Sequence, residues 1–196
     1  MGPVAPSRSD CIVLIPTYNE KENIAAIIHA VFELPRPFHI LIIDDNSPDG
    51  TADIVRSLQK QFPGALHMLE RPGKQGLGTA YITGFKWAIA RGYEYIFEMD
   101  ADFSHNPQDL MNLLAACKTG GADVAIGSRY VTGVNVVNWP MGRVMMSYFA
   151  SKYVRFITGM KIHDTTAGFV CYRRRVLETI GLDSIRFKGY AFQIEM

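Results

Sequence analysis

Short apolar runs that stop abruptly on polar residues limit what this chain can fold into. Cys11-Ile-Val-Leu-Ile15 ends in Pro16-Thr-Tyr-Asn-Glu20, His39-Ile-Leu-Ile-Ile43 in Asp44-Asp-Asn-Ser-Pro-Asp-Gly50, and Tyr95 to Met99 in Asp100-Ala-Asp-Phe-Ser-His105. Runs of this length, rich in β-branched and aromatic residues, read as strands buried on both faces. Each is followed by helical spacing: Ile24, Ile27, Ile28 and Val31; then Ile54, Val55, Leu58 and Phe62; then Leu110, Leu113, Leu114 and Cys117 in a helix opening near Pro107. Asn19, with Glu22 three residues on, has the form of a helix cap and its reciprocal partner. Leu66 to Leu69 and Asp123-Val-Ala-Ile126 add strands, and a further one is expected near Phe169 to Tyr172. Strand-helix units in series predict an α/β domain, with a mostly parallel central sheet and helices on both faces.

Open sheets of this kind bind ligands at the carboxyl ends of their strands. Thr17, Tyr18 and Glu20, then Asp44 and Asp45, then Asp100 and Asp102, and finally Arg129 all fall at such ends. Two carboxylates one residue apart suit a hard cation, since Mg²⁺ is commonly held by one or two carboxylates plus substrate phosphates. The same pair also reads as an acidic turn capping the next helix, and Asp-x-Asp alone does not decide between them. An edge so lined has the chemistry for a nucleotide, with Asp45 accepting hydrogen bonds from base or ribose. The Arg71-Pro-Gly-Lys-Gln-Gly-Leu-Gly78 stretch reads either as a substrate-edge loop or as a plain turn, its glycines matching neither the dinucleotide nor the P-loop spacing.

The length of 196 residues fits one domain, expected over 11–196 after a flexible 1–10 segment. With 20 basic and 19 acidic side chains there is no global attraction for nucleic acid. Cys11, Cys117 and Cys171 match no zinc spacing and read as buried thiols in a reducing compartment. The N-terminal residues lack an apolar signal-peptide core, and no run of 18 apolar residues occurs, so no membrane span is expected. The apolar, aromatic and basic helix expected from Pro140 to Thr158 suits either a core or an anionic membrane surface. The helical pattern at Gly189 to Met196 stops without a cap or breaker, as in a domain truncated at its C-terminal end. His29, His39 and His67 read as packing residues, whereas His105 and the His163-Asp164 pair sit in loops that lead toward the acidic edge.

Pro16-Thr-Tyr-Asn-Glu20, Asp44-Asp-x-Ser-Pro-Asp-Gly50, Gly76-Leu-Gly-Thr-Ala80, Met99-Asp-Ala-Asp-Phe-Ser-His105, Gly127-Ser-Arg-Tyr130 and Lys188-Gly-Tyr-Ala-Phe-Gln-x-Glu195 together resemble the dolichyl-phosphate (polyprenyl-phosphate) mannose synthases. These belong to glycosyltransferase family 2 and have the GT-A nucleotide-diphospho-sugar transferase fold. The resemblance implies an inverting enzyme that moves mannose from GDP-mannose to a dolichyl or polyprenyl phosphate, giving a β-linked product. It implies that Pro16, Tyr18, Glu20, Ile43 and Asp45 cradle the guanosine. Asp100, the Ala101 backbone and Asp102 would meet the diphosphate and its Mg²⁺ or Mn²⁺, with Arg129 on the donor phosphates or sugar. Arg143 and Ser147 would receive the acceptor phosphate. Some relatives carry Gln where Ser104 stands, as an added metal neighbour. The resemblance also implies a peripheral position on the cytoplasmic face of a membrane, with any anchor supplied by a partner or a missing C-terminal segment. A UDP-sugar donor, another acceptor, or a non-catalytic nucleotide-sugar binding module are the alternative readings.

Overall fold

Side-chain alternation along β1 (Cys11–Thr17) divides the core in two. Cys11, Val13 and Ile15 join one apolar cluster, Ile12 and Leu14 another, and all are fully buried. A strand with apolar layers on both sides must be apolar at every position, which is why the run is continuous rather than alternating. The computed structural model describes residues 8–128, 141–189 and 191–196. In it β2 (His39–Asp44) and β4 (Tyr95–Glu98) flank β1 in parallel, and β3 (Leu66–Glu70) lies parallel beside β2. The sheet is completed by β5 (Val124–Ile126) and β6 (Val170–Arg173), in the order β3-β2-β1-β4-β6-β5.

The helices α1 (Ile24–Phe32), α2 (Thr51–Gln59) and α4 (Leu110–Lys118) cover the face of Val13, Ile40 and Phe97. The opposite face, with Leu14, Leu41 and Ile96, is covered by α3 (Leu77–Ala90), α6 (Arg174–Thr179) and α7 (Phe192–Glu195). A further helix, α5 (Met141–Thr158), precedes β6. Asp10, just ahead of β1, pairs with Arg36 at 2.5 Å and Lys118 at 2.9 Å. All three cysteines are buried free thiols.

Two local expectations are refined. The first helix begins at Ile24 with Asn23, not Asn19, at its cap position. Asn19 adopts a left-handed φ of 62° and donates its N–H to Ser47 Oγ at 3.1 Å, while the Glu20 N–H donates to Thr51 Oγ1 at 3.0 Å. The backbone N–H groups after β1 thus tie two strand-end loops together, in a conformation that Asn tolerates. The strand expected near Phe169 to Tyr172 is β6, and it runs antiparallel between β4 and β5. An antiparallel strand brings its leading turn to the edge where parallel strands bring their ends. Val170 accordingly pairs with Glu98, and the turn before it faces the acidic edge.

Candidate active site

The ends of β1, β2 and β4 open into one cleft of about 340 Å³, lined by Pro16, Tyr18, Glu20, Asp45, Asp100, Ala101 and Asp102. The paired carboxylates after β2 do different work. Asp44 accepts from Thr17 Oγ1 at 2.9 Å, Ser47 N–H at 2.9 Å and Ser47 Oγ at 2.6 Å, so it fixes the loop. Asp45 lines the cleft and is gripped by Arg71, whose Nε and Nη2 donate to its two oxygens at 2.5 and 2.7 Å. Both side chains are about nine-tenths buried. Register explains the pairing: Asp44 lies opposite Glu70, so the next residues along β2 and β3 emerge side by side.

At the end of β4 a tight turn, with Phe103 at φ 57°, sends Asp100 and Asp102 into the same cleft. Asp102 accepts the Ser104 N–H at 2.9 Å, and Asp100 Oδ1 receives the Tyr81 hydroxyl at 3.4 Å. Gly168, in the turn leading to β6, crosses so close that a Cβ there would lie 3.3 Å from Asp100 Oδ2.

Among the described residues the cleft is lined by four carboxylates, Glu20, Asp45, Asp100 and Asp102, and by the ammonium of Lys74. Arg71 pairs with Asp45 through both of its oxygens. Asp100 and Asp102 are an oxygen donor pair that fits a hard cation, which would offset the charge of a diphosphate. Among the described residues no cluster of three or more His, Cys, Asp or Glu is found, and Mg²⁺ in sites with one or two carboxylates commonly takes its other ligands from phosphate and water.

Glu98, two residues before Asp100, is fully buried. Burial pushes its carboxyl up to about 8, and the Asp100 charge adds to this, against a hydrogen bond from Gln193 Nε2 at 2.7 Å. The folded state keeps this proton to a higher pH than the unfolded chain, whose value is near 4.5. The stabilisation it gives is therefore fully present below about pH 4.5 and is lost as pH rises toward 8. Glu98→Gln should flatten that decline in urea melts at pH 5 and pH 8. An unchanged slope would show that Glu98 is already ionised in the fold.

Residues 12–181 match the family described as glycosyl transferase family 2, which spans most of the chain. The chain belongs to glycosyl transferase family 2. Polyprenol monophosphomannose synthase of Mycolicibacterium smegmatis is 49% identical over 185 residues, covering 94% of this chain and 69% of that protein. Undecaprenyl-phosphate mannosyltransferase of Micrococcus luteus is 44% identical, covering 94% of this chain and 75% of the relative. Among solved structures, mannosyltransferase PcManGT from Pyrobaculum calidifontis, in complex with GDP-Man and Mn²⁺, superposes with a TM-score of 0.61 at 20% identity. That match covers 92% of this chain, which spans about half (49%) of the solved one. Glucosyl-3-phosphoglycerate synthase from Mycobacterium tuberculosis, with uridine diphosphate, gives 0.59 at 18% identity, covering 96% of this chain and 63% of that one. At such identities the likeness concerns the fold, which is GT-A.

Within this family 2 domain the expected site residues separate into groups. Pro16, Tyr18, Glu20, Asp45, Asp100, Ala101 and Asp102 come together in the cleft. Ile43 does not line it; its side chain is fully buried in the core under α3, where a Cβ on Gly84 would lie 2.8 Å from its Cδ1. Arg129 lies outside the described residues, and so do the side chains of Arg143 and Ser147, whose backbones belong to α5. His163 is exposed and does not line the cleft, while His105 stacks on Phe169 with ring centroids 4.9 Å apart. Ser104 serves Asp102 through its backbone.

Several residues of the site escape sequence reasoning. Arg71 is hidden because its role depends on strand register. Lys74, whose Nζ lies 4.7 Å from the Tyr18 ring centroid, looks like any loop lysine until the loop is placed over the cleft. Glu98 carried a signal that was legible, a lone carboxylate inside an otherwise apolar strand.

Proposed function

We propose that this chain is the catalytic domain of an inverting, metal-dependent glycosyltransferase that moves mannose from GDP-mannose to a polyprenyl phosphate of the dolichyl or undecaprenyl type. The observation that carries the reading is the convergence of Tyr18, Glu20, Asp45, Asp100 and Asp102 on one cleft at the strand ends. The close relatives named for mannosyl transfer to polyprenyl carriers support it.

Asp45, held rigid by Arg71, offers its carboxylate to the base. Guanine presents two adjacent N–H donors to such an acceptor where uracil presents one, which favours GDP over UDP. Asp100 and Asp102 would hold Mg²⁺ or Mn²⁺, which when bound would offset charge on the departing diphosphate. Lys74 and Arg129 add positive charge to the donor side. The acceptor phosphate monoester has its second pKa near 6 and is largely dianionic at neutral pH, so it attacks the anomeric carbon without a protein base. Arg143 and Ser147, one turn apart on α5, receive it, and a single displacement turns the α-linked donor sugar into a β-linked product.

Calorimetry with GDP-mannose and UDP-glucose, with and without Mn²⁺, tests the donor assignment. Metal-dependent binding of GDP-mannose alone is expected. Preference for UDP-glucose would favour a different family 2 transferase, and GDP-mannose binding with no turnover would favour a binding module.

The acceptor also explains the surface of α5. Met145, Phe149, Tyr153, Phe156 and Ile157 follow one helical stripe and are 53% to 86% exposed. Residues 141–163 contain Arg143, Lys152, Arg155 and Lys161 with no Asp or Glu. An aromatic stripe flanked by cations fits an anionic lipid surface. Among the described residues no helix is long and apolar enough to cross a membrane, so the proposed contact is peripheral. Vesicles containing anionic lipid should co-sediment the protein, and joint Lys152→Glu and Arg155→Glu should release it. Sedimentation unchanged by that reversal would contradict the contact.

A further inference from the structure

We propose that Tyr81 is a positioning residue for Asp100, and that Phe192 locks Tyr81 in place from the far end of the chain. The inference rests on reading Asp100 as a cation ligand. Tyr81 lies on α3 and is fully buried. Its ring stacks on Phe192 at 6.0 Å and 9°, and on Phe85 at 6.2 Å and 23°. A phenol packed between apolar rings places its hydroxyl where the rings direct it, and a buried hydroxyl needs a polar partner. Here it reaches Asp100 Oδ1 at 3.4 Å.

Phe192 itself has a prepared seat. It is fully buried, and a Cβ on Gly78 would lie 2.7 Å from its ring, so only glycine at the start of α3 admits it. The Gly78 N–H donates to the Lys188 carbonyl at 3.0 Å, and Gln193, the residue after Phe192, donates to Glu98 on the strand that carries Asp100. Phe192 and Gln193 thus reach β4 by two routes, Gln193 through Glu98 directly and Phe192 through Tyr81 to the Asp100 carboxylate. This assigns a task to the Phe-Gln pair of the last motif, which otherwise has none in the cleft. At 3.4 Å the hydroxyl makes a long hydrogen bond that favours one rotation of the carboxylate, and partners that orient metal-binding side chains typically change metal affinity ten- to a hundredfold.

Tyr81→Phe keeps the ring stack and removes only the hydroxyl. Mn²⁺ titrated into the protein with saturating GDP should bind about tenfold more weakly in the variant. Affinity for GDP without metal and the thermal midpoint should match those of the wild type. Equal Mn²⁺ affinity in both proteins would overturn the assignment while leaving the donor reading intact. Parallel losses in metal-free GDP affinity and thermal midpoint would overturn it too, showing that the hydroxyl only supports the fold. Absence of Mn²⁺-dependent GDP binding in the wild type would remove the cation reading of Asp100, and this inference with it.

Discussion

Asp102→Asn should lower mannosyl transfer by about a thousandfold, with the thermal midpoint essentially unchanged. Asp102 is exposed to the cleft, and the contact that shapes its turn is the hydrogen bond accepted from the Ser104 N–H. An asparagine carbonyl can accept the same bond, so the turn survives. What is lost is a negative charge from the proposed pair of cation ligands, behind which no third carboxylate or imidazole completes a cluster among the described residues. The measurement is transfer rate against Mn²⁺ concentration for both proteins. Near-normal turnover in the variant would contradict the role given to Asp102.

Arg71→Leu should cost about 3 to 5 kcal/mol of stability in urea unfolding, since it leaves the nine-tenths buried Asp45 carboxylate without its partner. The loss extends beyond the pair, because Arg71 Nη1 also donates to Thr79 Oγ1 at 2.8 Å and so ties β3 to the start of α3. The double variant Arg71→Leu with Asp45→Asn should recover a substantial part of that loss, because no isolated charge then remains buried. Both variants should bind GDP-mannose poorly, since neither offers the base a fixed carboxylate. A cost below about 1 kcal/mol for Arg71→Leu would place the pair among solvent-screened ion pairs and remove its claim to rigidity.

These two predictions differ in how far the sequence anticipates them. Asp100 and Asp102 stand where an apolar run stops, and the pattern that defines β4 also delivers them to the sheet edge. Tyr18 and Asp45 follow from β1 and β2 in the same way. Arg71 is different, because it meets Asp45 only through the alignment of β2 with β3, and apolar periodicity carries no register. Direction is equally silent: the residues of β6 announce a strand, but nothing in them says that it runs antiparallel beside β4 and brings Gly168 against Asp100. Asn19 misleads because the residue types that cap helices also tolerate left-handed turns, and here its backbone N–H is bound by Ser47 Oγ of the neighbouring loop. The Phe192 to Tyr81 contact joins residues more than a hundred positions apart, and only the folded sheet brings them together.

The most direct test of the central claim is transfer of labelled mannose from GDP-mannose to a polyprenyl phosphate, with and without Mn²⁺ or Mg²⁺. The expected result is a lipid-linked, β-configured mannose that forms with the cation, disappears with chelator, and is not replaced by a product from UDP-glucose. Transfer that persists undiminished in chelator, or that uses UDP-glucose in place of GDP-mannose, would contradict it.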